Sequence, residues 1–363
     1  MGAGFVAATG CAPGGSAAAE LDAATIEKVR RTTTVLSKVY EVDQPYRSMM
    51  GPWEQQEVRL AQDIDDDALL FITGYRAVMV GADGETSMPQ DFMCHSNLDI
   101  DVARHGEIMG PSTGFSPRLF TLSQGQLEVR FPPGFGIPVR ASEAMSLTTQ
   151  VLNLNNQTAD VRHRIAIEYV TDTETGGAMR PLLPAAAYGL ALLEGDSGHF
   201  GVATPDQEVH GPGCLVEATA SDHAYEDGLG RTFSGHWQVP PGRQENRTLV
   251  TQLMRVPYET TIHYIAVHLH PFAESLELRD LTEDRTLFRS EAQNYEDRIG
   301  LANVDYLASV EGIPVYPDHE YELLSVYDNS SSEMQDSMAV MYIYLRDLET
   351  EKRLSEIRSD GSG

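Results

Sequence analysis

Two histidines one residue apart, His268 and His270, end the apolar run Tyr264-Ile265-Ala266-Val267-His268-Leu269-His270. Successive side chains of a strand point to opposite faces, so these imidazoles share a face, with Cα atoms roughly 6.5 Å apart. That separation lets one nitrogen of each ring reach a common metal ion. His263 has the opposite parity and is expected to face away. With eleven histidines in 363 residues, such a pair has a chance expectation of roughly one in three, so its company must decide. The plainer reading is two polar residues at a strand end. Glu274 and Glu277 follow on the turn and next strand. Either would orient a ligand histidine through its second nitrogen, or be a charge on an exposed edge. His236, with His199, His210 and His223, offers the makings of another metal site, against the commoner fate of exposed loop histidines. His105 and His319 sit among charges and read as surface. His163, between Arg162 and Arg164, is expected to face solvent or a neighbouring strand.

The elements that must position these residues are mostly strands. Ala23 to Tyr40 reads as a loosely amphipathic helix, with Ile26, Val29, Val35, Leu36 and Val39 on its apolar side. After it come short β-type runs: Ala68–Val80, Ser146–Leu154, Arg162–Val170, Thr248–Met254, Thr260–His270, Tyr321–Tyr327 and Met338–Leu345. Turn clusters such as Ala82-Asp83-Gly84, Pro132-Pro133-Gly134 and Pro240-Pro241-Gly242 separate them. The pattern predicts a mainly β protein of two tandem antiparallel β-sandwich, jelly-roll-like domains, with a short N-terminal helix and a loop-rich insertion between the domains. The expected divisions are a tether over 1–24, a helical lead-in over 25–60 and a first sandwich over 61–175. An insertion over 176–232, which includes the apolar stretch Pro181–Leu193, then leads to a second sandwich over 233–350 and a tail over 351–363. No repeat of fixed period is present.

Composition excludes some functions. Hydrophobic residues make up 41% and charged residues 22%, the range of globular domains. No apolar run reaches the about 20 residues of a bilayer-crossing helix. With 26 basic against 54 acidic residues the net charge is −28, which repels phosphate backbones and argues against a nucleic-acid partner. The start, Gly2 to Cys11, is small and apolar and is similar to the end of a bacterial lipoprotein signal, whose cysteine is lipidated after cleavage. On that reading Cys11 is a membrane tether, Ala12–Ala24 is a flexible linker, and the chain is exported: periplasmic, outer-membrane-anchored or extracellular. The other reading is a disordered Ala/Gly-rich start.

Three segments in order carry a family resemblance: Val239-Pro240-Pro241-Gly242, the strand ending in His268-Leu269-His270, and Asp336-Ser337-Met338-Ala339-Val340-Met341-Tyr342-Ile343-Tyr344. Over Phe233 to Leu345 the chain resembles the copper type II, ascorbate-dependent monooxygenases, the peptidylglycine α-hydroxylating and dopamine β-monooxygenase family, as a bacterial-type relative. The resemblance implies one copper held by His268, His270 and Met338, with Met334 as the alternative thioether. Two imidazoles suit both copper oxidation states, and a thioether favours Cu(I) over Zn(II). The plainer role for Met338 is core packing.

The first half keeps the family's frame and loses its ligands. Phe71-Ile72-Thr73-Gly74-Tyr75-Arg76 and Asp91-Phe92-Met93-Cys94-His95-Ser96-Asn97-Leu98 resemble the strand before, and the strand bearing, the His-His pair of a second, electron-storing copper. Cys94 stands for the first of those histidines and His95 for the second. The third falls at Leu152 or Leu154, neither of which binds metal. Cys94 and His95 are the residues left there able to hold a soft ion, with His95 the retained histidine, but adjacent strand residues point to opposite faces, which makes a two-ligand site awkward. Cys94 is expected to be structural, buried or bridged to Cys214. The second copper is expected to be absent, so the second electron comes from ascorbate or another reductant, or from an electron-donor partner protein.

The substrate also differs. The peptide-amidating branch clamps a carboxylate with an arginine, an asparagine and a tyrosine; the matching positions here are Ala266, Val340 and Tyr342. Only Tyr342 survives, as the expected pocket-lining catalytic residue. Peptide amidation is therefore rejected in favour of a small-molecule or apolar substrate. The competing reading is a non-catalytic copper-binding or partner-binding protein that has kept the two-sandwich frame and lost the second site.

Overall fold

The computed structural model describes residues 23–111, 114–192, 224–226 and 232–360. The chain is mainly β, in the β-sandwich class, with a short N-terminal helix. A ten-stranded sheet runs through both halves. Its path is 31–36, 159–171, 69–81, 135–140, 180–188, 339–346, 260–269 and 307–315, with 40–42 and 128–130 pairing at its side. A four-stranded sheet (53–59, 144–151, 93–100, 118–122) covers the first half and a five-stranded sheet (242–249, 321–329, 273–280, 285–294, 301–304) the second. The halves meet where Arg180 and Pro181 pair in parallel with Phe135 and Gly136.

Alternation along the central strands decides which core each side chain joins. In 339–346, Ala339, Met341, Ile343 and Leu345 join the second half's core. Met338, Val340, Tyr342 and Tyr344 face the other way, into a core shared with the first half. A strand buried on both faces needs an unbroken apolar run, and Ala339-Val340-Met341-Tyr342-Ile343-Tyr344-Leu345 supplies one. Each large side chain so buried contributes about 1.5–3 kcal/mol.

Several expectations are corrected. The first helix covers only Ala23–Val29; the β-branched run Thr32-Thr33-Thr34-Val35 forms the strand Arg31–Leu36 instead, because such side chains lose rotamer freedom in a helix. The lead-in over 25–60 is thus largely strand, including Trp53–Arg59. Thr248–Met254 is strand only to Leu249, and Thr251–Met254 makes one helical turn. Most of the apolar stretch assigned to the insertion is strand instead: Arg180–Tyr188 lies at the centre of the large sheet, paired with 339–346. The expected tail begins with the helix Leu348–Asp360. His105 is buried rather than exposed, and His163 takes the second of its two expected settings, buried and edge-on to Tyr40 of a neighbouring strand. The tether with Cys11, and the insertion residues His199, His210, Cys214 and His223, lie outside the described residues. No helix among the described residues is long and apolar enough to cross a membrane.

Candidate metal centre

His268 lies near the end of the 260–269 strand and His270 just beyond it, both buried. Their ring centroids are 5.3 Å apart, and both line one cavity, as strand parity requires. Each imidazole is held through Nδ1. For His270 the partner is the Asp336 carbonyl oxygen, 3.2 Å away. A carbonyl only accepts, so Nδ1 carries the proton and Nε2 is left with its lone pair, the state a metal ligand needs. For His268 the partner is the Ser123 hydroxyl at 2.9 Å. That hydroxyl also lies 3.5 Å from the Gln124 carbonyl; a hydroxyl both donates and accepts, so this contact anchors the ring without setting its tautomer. Burial pushes both imidazoles below their ordinary pKa, and the neighbouring histidines add to this; at His270, Cys94 and Asp336 pull the other way. Both rings are therefore neutral at pH 7.

Met338 stands across the sheet from His270. The register pairs His268 with Val340 and Leu269 with Ala339, and one step further sets Met338 beside His270. Tyr327 ties the two backbones together: its hydroxyl donates to the Met338 carbonyl and accepts from the His270 N–H at 3.3 Å. Met338 is packed in the shared core and is not part of the cavity wall, whereas Met334, the alternative thioether, lines the cavity and is 42% exposed.

Tyr342 does not line the cavity, contrary to expectation. It faces the shared core, where its hydroxyl meets Arg118 and Thr121. Arg118 is itself buried and paired with Asp99 at 2.5 Å. Burial raises the Tyr342 pKa against the pull of Arg118, so the phenol is a neutral packing residue between the halves.

His95 sits on the 93–100 strand opposite Gln150, and the bulge at Cys94 breaks the simple alternation there. Charge on His95 would oppose charge on His268, His270 and His163. His95 thus lies within electrostatic reach of the pair, on the other half of the molecule. His236 is near the pair too, its ring centroid 5.9 Å from that of His270. Even so, no group of three or more His, Cys, Asp or Glu side chains among the described residues is placed to hold one ion. His268 and His270 share the cavity with Met334, whereas Met338 packs in the shared core. Cys94 is buried against Met49 and Leu152, as a structural cysteine would be.

The remaining candidates have structural roles. A bulge at His263 upsets its parity; the ring is stacked on Phe135 and held by Thr261 and Ser309, away from the pair. Glu274 pairs with Arg243 and Glu277 with Arg289, both in surface networks. His319 is half-buried on Asp280. Sequence reasoning missed Ser123, Tyr327 and Arg118. Ser123 and Tyr327 act through register and long-range pairing that no local spacing encodes.

The chain matches no family model and no curated protein. Among solved structures it is similar to PNGase F, a glycosylasparaginase from Flavobacterium meningosepticum, at 8% identity over 87% of this chain and 96% of that one, with a TM-score of 0.36. It is also similar to the CUB1-EGF-CUB2 domain of human MASP-1/3, at 8% identity over 86% and 99% of the two chains, with a TM-score of 0.19. At such scores neither likeness bears on what the chain does.

Proposed function

We propose that the chain is an exported copper-dependent monooxygenase that hydroxylates a C–H bond at one copper held by His268, His270 and Met338. The observation that supports this most is the pair of buried imidazoles, each anchored through Nδ1, with His270 left a lone pair on Nε2. The chemistry a bound copper supplies is oxygen activation: one oxygen atom enters the C–H bond, and the other leaves as water with two electrons and two protons from ascorbate or another external reductant. The residues' own part is to hold that ion in a dry setting. Burial keeps both rings neutral, and Tyr327 fixes the spacing between the His270 and Met338 backbones.

Copper content per chain after loading with Cu(I) tests this. One copper is expected in the wild type, none in His268→Ala, and weaker Cu(I) retention in Met338→Ala with Cu(II) less affected. Undiminished copper in His268→Ala would sink the assignment. A second reading, non-catalytic copper or partner binding, is favoured by the absence of a three-ligand cluster among the described residues. It gains if copper and ascorbate give no O2 consumption above a copper-free control.

A further inference from the structure

We propose that the cavity beside His268 and His270 is a binding pocket for a small, uncharged, hydrocarbon-rich molecule of about nine non-hydrogen atoms. This rests on the function proposed above and names the class of substrate that its site takes.

The cavity measures about 230 Å³. A 150 Å³ apolar cavity accommodates benzene, so this one suits a ligand about half as large again. His268 and His270 line the cavity together with Met93, Cys94, Leu152 and Leu154 of the first half. Ser48, Ser123, Gln124 and Asn153 of that half add polar groups. Cys94 and Leu152, with Met49 and the half-buried Leu154, form a small apolar cluster separate from both main cores. Small satellite clusters beside a main core are ordinary; what sets this one apart is its place on a cavity wall. A cluster left apart on a cavity wall offers an apolar surface to something other than the protein's own interior.

Backbone strain marks the same place. Met49 and Phe272 are two of the six non-glycine residues with left-handed backbone among those described, at φ 67° and 71°. Phe272 lines the cavity and Met49 packs behind Cys94. Such conformations are unfavourable for these side chains and persist only where the surroundings enforce them, typically at binding sites. The Phe272 backbone is held from both sides, its N–H by the Asn294 side chain and its carbonyl by the Asp328 N–H.

Charge selects against an anion. Arg47 is the one lysine or arginine in the wall; it lies 3.9 Å from Glu333, and Asp336 is also present. Arg47 and Glu333 are largely exposed, so their pair closes the rim only weakly. A carboxylate would compete with Glu333 for Arg47, under a net charge of −28. An anion is thereby disfavoured, and any longer chain is left at the exposed rim beside Met334.

Calorimetric titration of the metal-free protein with indole, an uncharged molecule of suitable size, tests this without reference to turnover. One site is expected for indole, with indole-3-propionate at least tenfold weaker. Leu154→Trp, which fills the cavity from a half-buried position, should weaken indole at least tenfold while copper content stays at wild-type level. Leu154→Asp serves as the second variant and should act in the same direction. No indole binding to the wild type, equal binding of the carboxylate, or unchanged binding in a folded variant each overturns the proposal. Copper content of His268→Ala is read separately: retained copper there with intact indole binding defeats the monooxygenase assignment and leaves the pocket standing.

Discussion

The Tyr327 hydroxyl serves two backbones at once, and its loss isolates the residue-scale contribution to the proposed copper site. Burial pushes this phenol up to about 12, so it stays a neutral donor and acceptor throughout the accessible pH range. Tyr327→Phe keeps the ring against Trp237 and deletes only the oxygen. It leaves the His270 N–H and the Met338 carbonyl without that partner in a buried setting, which costs about 1–3 kcal/mol. The expected outcome is that loss in urea unfolding, together with roughly tenfold weaker Cu(I) retention, about 1.4 kcal/mol. Unchanged unfolding and copper retention would remove Tyr327 from the centre. At this scale the His268–His270 pair was legible because strand parity is local. Tyr327 and Ser123 were not, since their partners lie 57 and 145 residues away in the chain.

Among elements, the 159–171 strand shows how little flanking charge decides. Arg162 and Arg164 leave His163 open between solvent and a neighbouring strand; alternation sends the arginines to one face and His163 into the core, with no exposure at all. Neither ring nitrogen has a hydrogen-bond partner, and the ring packs edge-on to Tyr40. Burial, with a smaller push from His95, lowers its pKa to about 3 from 6.5. The folded state therefore holds His163 neutral while the unfolded chain takes up a proton below pH 6.5. Stability from this residue is present above that pH and is lost as the pH falls toward 3, by about 2 kcal/mol between pH 7 and 5. His163→Phe should stabilise the protein more at pH 5 than at pH 7, by about that difference in urea unfolding. Equal effects at both pH values would contradict the assignment. Element type was otherwise readable where runs were long and regular, as at 69–81 and 260–269. It failed at 31–36, where a threonine-rich strand continued an apparent helix, and at 180–188, where alanines disguised a central strand.

For the whole molecule, the consequence is that the two halves behave as one unit. A turn of the first half, Ser123 to Gln126, reaches into the second: Gln126 accepts from the Val267 N–H at 2.8 Å, and Gln124 accepts from the Leu301 N–H at 3.1 Å. The Tyr344 hydroxyl donates to the Leu119 carbonyl at 2.8 Å in the other direction. The sequence foresaw two sandwiches and gave no sign that they share a sheet and a core, because the joining strand 180–188 was read as connection. A second half without the first would expose Tyr264, Ala266, Val340, Tyr342 and Tyr344 to water, so neither half has reason to unfold alone. Copper bound at His268, which Ser123 holds from the first half, should then stabilise the entire chain. At Cu(I) a hundredfold above its dissociation constant the gain is about 2.7 kcal/mol. Calorimetry should show a single transition in the metal-free protein, moved upward as a whole by Cu(I) and unmoved in His268→Ala. Two transitions, only one of which responds to copper, would mean that the shared sheet does not couple the halves, and that the centre belongs to the second half alone.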